Sequence, residues 1–282
     1  MTRIYGLCLV RNEGDVIAQT LLHASRFCHR IYVWDNGSTD DTWERIHSLA
    51  HPSIELFSRE ATPFHDGLRA KIFNAMRHEC APGDWLYILD GDEFLVGHPN
   101  RAIAVAEKEG ANQINTLQYN FHFSDRDWEQ YKTGKDDRKL PIAERRRYYR
   151  FANIEQRFFR FDPNIQWPEH TTERYPRGFA IPPKLKRCSY RLPNCHYQYR
   201  DPEQIQLRLE TRLAARQANH NNFLHYSALD EEINWQRFIV PSHDLHHYNN
   251  DGQFKFNLNE RFQLFRRDLG RRDFFRFDFL AG

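Results

Sequence analysis

Lysine is scarce in this chain: eight of its 40 basic residues are lysine and the other 32 are arginine. The formal net charge is only +2, so the overall balance does not argue for nucleic acid. Arginine in such excess suits bidentate recognition of phosphate or carboxylate, with a solvated, salt-bridged surface as the plainer alternative. Cysteine is sparse too. The five (Cys8, Cys28, Cys80, Cys188 and Cys195) are odd in number and form no Cys-x-x-Cys pair, a usage that points to reduced thiols in a cytosolic protein. No apolar run approaches the roughly 18 residues of a membrane span, and the first residues show no signal-peptide pattern. The sequence therefore reads as neither spanning nor secreted, with contact at a membrane surface left open. Repeats and low-complexity tracts are absent. What remains is 282 residues, 40% hydrophobic and 15% aromatic, enough for one sizeable core and a small extension.

The most informative stretch runs from Trp85 to Phe94, where an apolar, partly β-branched segment ends in Asp90-Gly91-Asp92-Glu93. Such a run reads as a buried strand that delivers acids to its carboxyl end. The spacing alone carries little weight, because Asp125-Arg126-Asp127 repeats it in a charged segment with no strand before it. Position decides. Ile4 to Val10 reads as a first buried strand running into Arg11-Asn12-Glu13, with Asn12 able to cap the helix that follows. Ile31 to Trp34 is a second strand ending at Asp35; Asn36-Gly37 turns the chain, and Ser38 or Thr39 caps another helix. Ile54 to Phe57 is a short third strand, and Leu68, Ile72, Phe73 and Met76 lie at helical spacing between Gly67 and Cys80.

This alternation predicts an α/β fold with a mostly parallel, doubly wound sheet and helices on both faces. Ligands of such sheets bind beyond the carboxyl ends of the strands, where Arg11 to Glu13, Asp35 and Asp90 to Asp92 all fall. Further on, a helix from Asn100 to about Gly110 precedes a half-buried strand over Asn115 to Phe123. Residues 124–150, including Arg145-Arg146-Arg147, read as an exposed excursion. Gln156 to Phe161 and Arg187 to His196 resume strand character on either side of a titratable loop at Trp167 to Glu173. A helix from Asp201-Pro202 to about Gln217 carries Arg208, Arg212 and Arg216 as a stripe that reads first as a solvated face. His243 and His247 have the i, i+4 spacing of a zinc pair but no Glu after His243; an aromatic C-terminal lid is the preferred reading there.

Val10-Arg11-Asn12-Glu13, Val33 to Thr42 with its Gly37-Ser38-Thr39-Asp40, and Leu89 to Phe94, in this order and spacing, resemble family 2 glycosyltransferases of the GT-A fold. A generic Rossmann domain would instead show Gly-x-Gly-x-x-Gly after the first strand. The resemblance implies a domain over 1–200, with a donor half at 1–96 and an acceptor half at 97–200; residues 201–282 read from their composition as a mostly helical and aromatic extension. The resemblance also implies donor contacts from Arg11, Glu13, Asp35, Arg69, Asp90 and Gly91, with Lys71 an alternative to Arg69. Asp35 would hold the nucleobase edge. Asp90, Asp92 and His196 would serve a divalent cation, Mn²⁺ or Mg²⁺, since oxygen donors favour hard ions. Where the family carries an acidic pair as catalytic base, this chain offers Glu169-His170 and Glu173, and Glu169 followed by Glu173 are the candidates.

The resulting expectation is a metal-dependent, inverting glycosyltransferase. It would act in the cytoplasm or at the inner membrane face, moving a sugar from a nucleoside-diphosphate sugar (UDP-sugar favoured) to a hydroxyl of a saccharide or glycolipid. The rival expectation is a non-catalytic module of the same fold that binds nucleotide or glycan.

Overall fold

The computed structural model describes residues 2–171, 179–218 and 234–269. Its strands form one nine-stranded sheet. Four of them, β1 (Ile4–Val10), β2 (Arg30–Asp35), β3 (Ile54–Arg59) and β4 (Trp85–Asp90), lie parallel in the order β3-β2-β1-β4. The rest of the sheet is mixed. β4 pairs antiparallel with β7 (Tyr148–Arg160), which pairs antiparallel with β6 (Gln113–Phe121). β6 runs parallel to β8 (Arg187–His196), and the short β5 (Glu93–Leu95) closes on β8. The two-residue β9 (His246–His247) adds to β7.

The period of two along the buried strands sorts their side chains onto two faces. Ile4, Cys8 and Val10 of β1, with Trp85, Tyr87 and Leu89 of β4, pack under α1 (Ile17–Ala24), α2 (Thr42–Ser48) and α4 (Asn100–Glu109). Tyr5, Leu7 and Leu9, with Leu86 and Ile88, pack under α3 (Leu68–Met76). Helices thus cover both faces of the parallel half, as the strand–helix alternation predicts. α4 stops at Gly110, whose φ of 62° supplies the left-handed turn that a Cβ would disfavour. No described helix is long and apolar enough to cross a membrane.

Three local expectations are corrected. Asn12 does not cap α1, which begins only at Ile17; held at a φ of 57°, it turns toward the loop after β2. Nor do Ser38 and Thr39 cap α2, whose N-cap is Asp41. The third correction is energetic. Residues 124–150 contain α5 (Asp125–Lys132) and α6 (Ile142–Arg145), and Arg145 and Arg146 are buried. Arg145 Nε donates to Asp136 Oδ1 at 2.8 Å and its NH2 to Asp201 Oδ2 at 3.2 Å, while Arg146 pairs with Asp136 and Asp127. Asp127 is itself the acidic member of a capping box with Ser124 on α5, so the second Asp-x-Asp is a helix start. Arg138 pairs with Asp201 from the outside. Reading Arg145 and Arg146 as solvated fails because their partners lie 9 to 56 positions away in the chain.

Burial would raise the pKa of Asp136, but the hydrogen bonds and charges of Arg145 and Arg146 outweigh it and hold the carboxyl below its ordinary value. Its stabilising contribution is complete above the unfolded-state pKa of about 3.9 and disappears as pH falls through the lower folded-state value. Asp136→Asn removes the carboxylate shared by two buried guanidiniums and leaves each with one acidic partner, so we expect a loss of roughly 3 kcal/mol at neutral pH and a shallower acid limb in urea titrations at successive pH values. A loss under about 1 kcal/mol with an unchanged acid limb would contradict the assignment.

Candidate active site

Two loops lock together at the carboxyl ends of β1 and β2. Asn12 Oδ1 accepts from the Thr39 amide at 2.8 Å, and the Asn12 amide donates to Ser38 Oγ at 2.9 Å. The Glu13 amide donates to Thr42 Oγ1 at 2.9 Å and the Gly14 amide to Asp40 Oδ2 at 3.0 Å. The Ser38-Thr39-Asp40 run therefore satisfies the backbone of the Arg11-Asn12-Glu13 loop, a physical reason for the two motifs to occur together. Asp35 ends β2 fully buried. Its Oδ1 accepts the Ser38 amide at 2.8 Å, whereas its Oδ2 is buried without a partner. An orphan carboxylate oxygen of this kind costs free energy unless a donor reaches it.

At the end of β4, Asp90 and Asp92 stand among cations. Asp90 Oδ1 accepts from Arg69 on α3, and Oδ2 from Arg157 NH2 on β7 at 2.9 Å. Arg157 also bonds Glu93, whose oxygens take Gln118 Nε2 at 2.9 Å and Asn194 Nδ2 at 2.8 Å. Between the two aspartates, Gly91 faces inward: a Cβ there would lie 2.9 Å from Val10 Cγ2 and 3.3 Å from Glu13 Cγ. Its carbonyl accepts Thr20 Oγ1 at 2.7 Å. Glycine is demanded by close packing of the turn on β1 and α1.

Asp92 is 3% exposed. Its Oδ2 lies 3.3 Å from His196 Nε2, 3.2 Å from Arg208 NH1 and 3.8 Å from Arg200 NH1. Burial alone would raise the Asp92 pKa; His196, Arg208 and Arg200 more than reverse it and keep the carboxylate ionised. Asp92 in turn raises the His196 pKa against the pull of burial. His196 Nδ1 faces Asn120 Oδ1 at 2.9 Å, which fixes the ring and leaves Nε2 directed at Asp92. Arg200, fully buried, bonds Glu13 and both oxygens of Asp15, at 2.7 and 2.8 Å. Arg208, read from sequence as solvated, has a side chain only 9% exposed and reaches Glu13 Oε1 at 3.3 Å; that reading is corrected.

The other expected site residues are dispersed. Arg11 is exposed at the end of β1. Lys71 lies over the Trp34 ring with its ammonium 5.7 Å from the centroid. Glu169 is half-buried and accepts from Asn74 Nδ2 of α3 at 2.6 Å, and its backbone abuts Gly67 at the start of the same helix. Glu173 lies outside the described residues. His243 and His247 share no helix, since one is in a 3-10 turn and the other in β9. Arg157, Arg200 and Glu93 went unread as site residues, although Glu93 continues the acidic run and Arg157 stands in a strand of alternating pattern.

Among the described residues no group of three or more His, Cys, Asp or Glu side chains is placed to hold a metal ion. The two donors that do face each other, Asp92 and His196, still fit a hard divalent cation, because such ions commonly take one or two protein ligands and complete their shell with phosphate oxygens and water. Asp90, expected to serve the same cation, has both oxygens engaged by guanidiniums, those of Arg69 and Arg157.

A parallel α/β half continued by a mixed sheet, with helices on both faces, is the GT-A architecture. The glycosyl transferase family 2 model matches residues 9–181, and the chain belongs to that family. Comparison with curated proteins yields no match. Among solved structures, glucosyl-3-phosphoglycerate synthase from Mycobacterium tuberculosis, with Mn²⁺, UDP and glucosyl-3-phosphoglycerate, is similar at a TM-score of 0.30 and 20% identity over 42% of this chain and 44% of that one. GalNAc-T7 with UDP, GalNAc and Mn²⁺ gives 0.33 and 15% over 44% and 24%. Less than half of either neighbour is spanned, and likenesses this low transfer none of their properties.

Gly91→Ala should destabilise the fold by about 1–3 kcal/mol through overpacking against Val10, with part of the loss restored in the Val10→Ala, Gly91→Ala double variant, both read by urea denaturation. Equal stability of Gly91→Ala and the parent would show that the turn is not packed as described.

Proposed function

We propose that this chain is a divalent-cation-dependent, inverting glycosyltransferase that moves a sugar from a nucleoside-diphosphate sugar to a hydroxyl of a saccharide or glycolipid acceptor, with UDP-sugar the favoured donor. The observation that carries the reading is the Asp92–His196 pair, a carboxylate and an imidazole nitrogen 3.3 Å apart at the end of the acidic strand. These two residues would hold Mn²⁺ or Mg²⁺, and the ion would supply charge neutralisation for the departing diphosphate.

The chain's own residues account for the rest. Asp35 Oδ2, buried and unpartnered, suits an N–H of the base, as a pyrimidine ring would offer. Arg69, linked to Asp90, is the donor-side cation nearest the start of α3, and planar guanidinium groups suit phosphate oxygens. Arg11 and Glu13 border the same loop, and Gly91 contributes by allowing its close packing. For the proton of the acceptor hydroxyl, Glu169 is the first candidate and Glu173 the second; the Asn74 bond orients Glu169 on α3. Residues 1–200 form the proposed catalytic domain, and the extension that follows supplies Arg208.

In a panel of sugar nucleotides with Mn²⁺, the parent protein should hydrolyse at least one donor slowly and be stabilised by it in thermal shift. Asp92→Ala should lower turnover roughly 10²-fold or more while keeping its fold. If no donor stabilises the parent or is turned over, the enzyme reading fails; donor stabilisation without turnover would favour the binding-module alternative.

A further inference from the structure

Five large apolar side chains are exposed among the described residues, and three of them, Leu258 (83%), Phe262 (59%) and Phe265 (43%), lie on α8 (Leu258–Leu269). Their i, i+4, i+7 spacing makes one continuous stripe along that helix. The opposite side is anchored. Glu260, 5% exposed, accepts the Phe151 amide of β7 at 2.9 Å, the Asn257 amide at 2.7 Å and His246 Nε2 at 2.7 Å. Asn257 Oδ1 accepts the Glu260 amide at 2.9 Å, completing a capping box. Leu264 packs on the aromatic cluster around Tyr119 and Tyr149. Rotation of α8 that would hide the stripe would break the Glu260 bonds to Phe151 and His246 and pull Leu264 off the aromatic cluster, so its apolar face is held outward.

Charge borders that face on both sides. Arg261 lies exposed on one flank and Arg266 on the other, with the Arg266 guanidinium 5.8 Å from the Phe262 ring centroid. The acid of the first turn, Glu260, is turned inward. An apolar stripe with one exposed arginine on each flank matches an interfacial helix, whose rings enter the acyl boundary while the guanidiniums stay at headgroup level. A second copy of this chain is a poorer occupant. A two-fold contact would set the like-charged rims against each other, and three side chains bury far less than the roughly 1,200 Å² of a stable interface.

We propose that α8 docks the protein on an anionic lipid surface through Leu258, Phe262 and Phe265, with Arg261 and Arg266 on lipid headgroups. The test is co-sedimentation of the full chain with vesicles of phosphatidylcholine alone or with phosphatidylglycerol. The parent should bind the anionic vesicles at low salt. Phe262→Ser with Phe265→Ser should lower the partition coefficient at least tenfold, and Arg261→Glu with Arg266→Glu should abolish the preference for phosphatidylglycerol. Both double variants change exposed residues, and unchanged melting temperatures would verify their folds. No binding by the parent, equal binding by the serine variant, or a dimer in sedimentation equilibrium that the serine substitutions dissolve would each overturn the proposal. Donor binding by the parent is measured separately, so its presence or absence leaves this test intact.

Discussion

Buried charge at the ends of the parallel strands is the constraint on which the rest of this structure depends. Glu13, Asp15, Asp90, Asp92 and Glu93 are drawn together where β1 and β4 finish, and Arg69, Arg157, Arg200, Arg208 and His196 meet them there. Taking such groups out of water costs several kcal/mol each unless they are paired with good geometry. Each of these basic groups comes from a different piece of chain: α3, β7, the loop after β8, α7 (Pro202–Ala218) and β8 itself. The second half of the molecule is thereby tied to the first by electrostatics as well as by the sheet.

That arrangement has a functional reading. If the site takes a doubly charged diphosphate and a cation, as proposed, it needs both signs at hand before either arrives. On the proposed function, arginines that pair with the acids would turn to phosphate oxygens as a metal ion took over Asp92, and the net charge of the site would change little between its empty and loaded forms. The packed turn at Gly91 and the Asn120 bond to His196 keep the carboxylate and imidazole in place throughout, which lowers the cost of assembling the site on ligand arrival.

The parallel half of the sheet was legible in the sequence because β1, β2 and β4 are buried on both faces and read as short, continuous apolar runs, each closed by a polar residue. Asp35, Asp90 and Asp92 followed from that pattern. What could not be read was partnership. Arg208 and Arg146 occupy stretches whose local composition is that of a solvated surface, and only the three-dimensional fold brings Asp92 and Asp136 to them. Asn12 looked like a helix cap because the cap rule is local, but the loop after β2 competes for the same side chain, and the Thr39 amide takes its Oδ1 at 2.8 Å. The acceptor half was legible least: Glu169 rests on a loop, and loop shape follows from contacts across the chain.

Asp92 and His196 are proposed to take a cation together with a diphosphate. Electron paramagnetic resonance of Mn²⁺, titrated with and without UDP, tests this most directly. Weak Mn²⁺ binding alone that tightens tenfold or more with UDP, lost in His196→Ala, is the predicted result. Tight binding of Mn²⁺ that is indifferent to both UDP and His196 would contradict it.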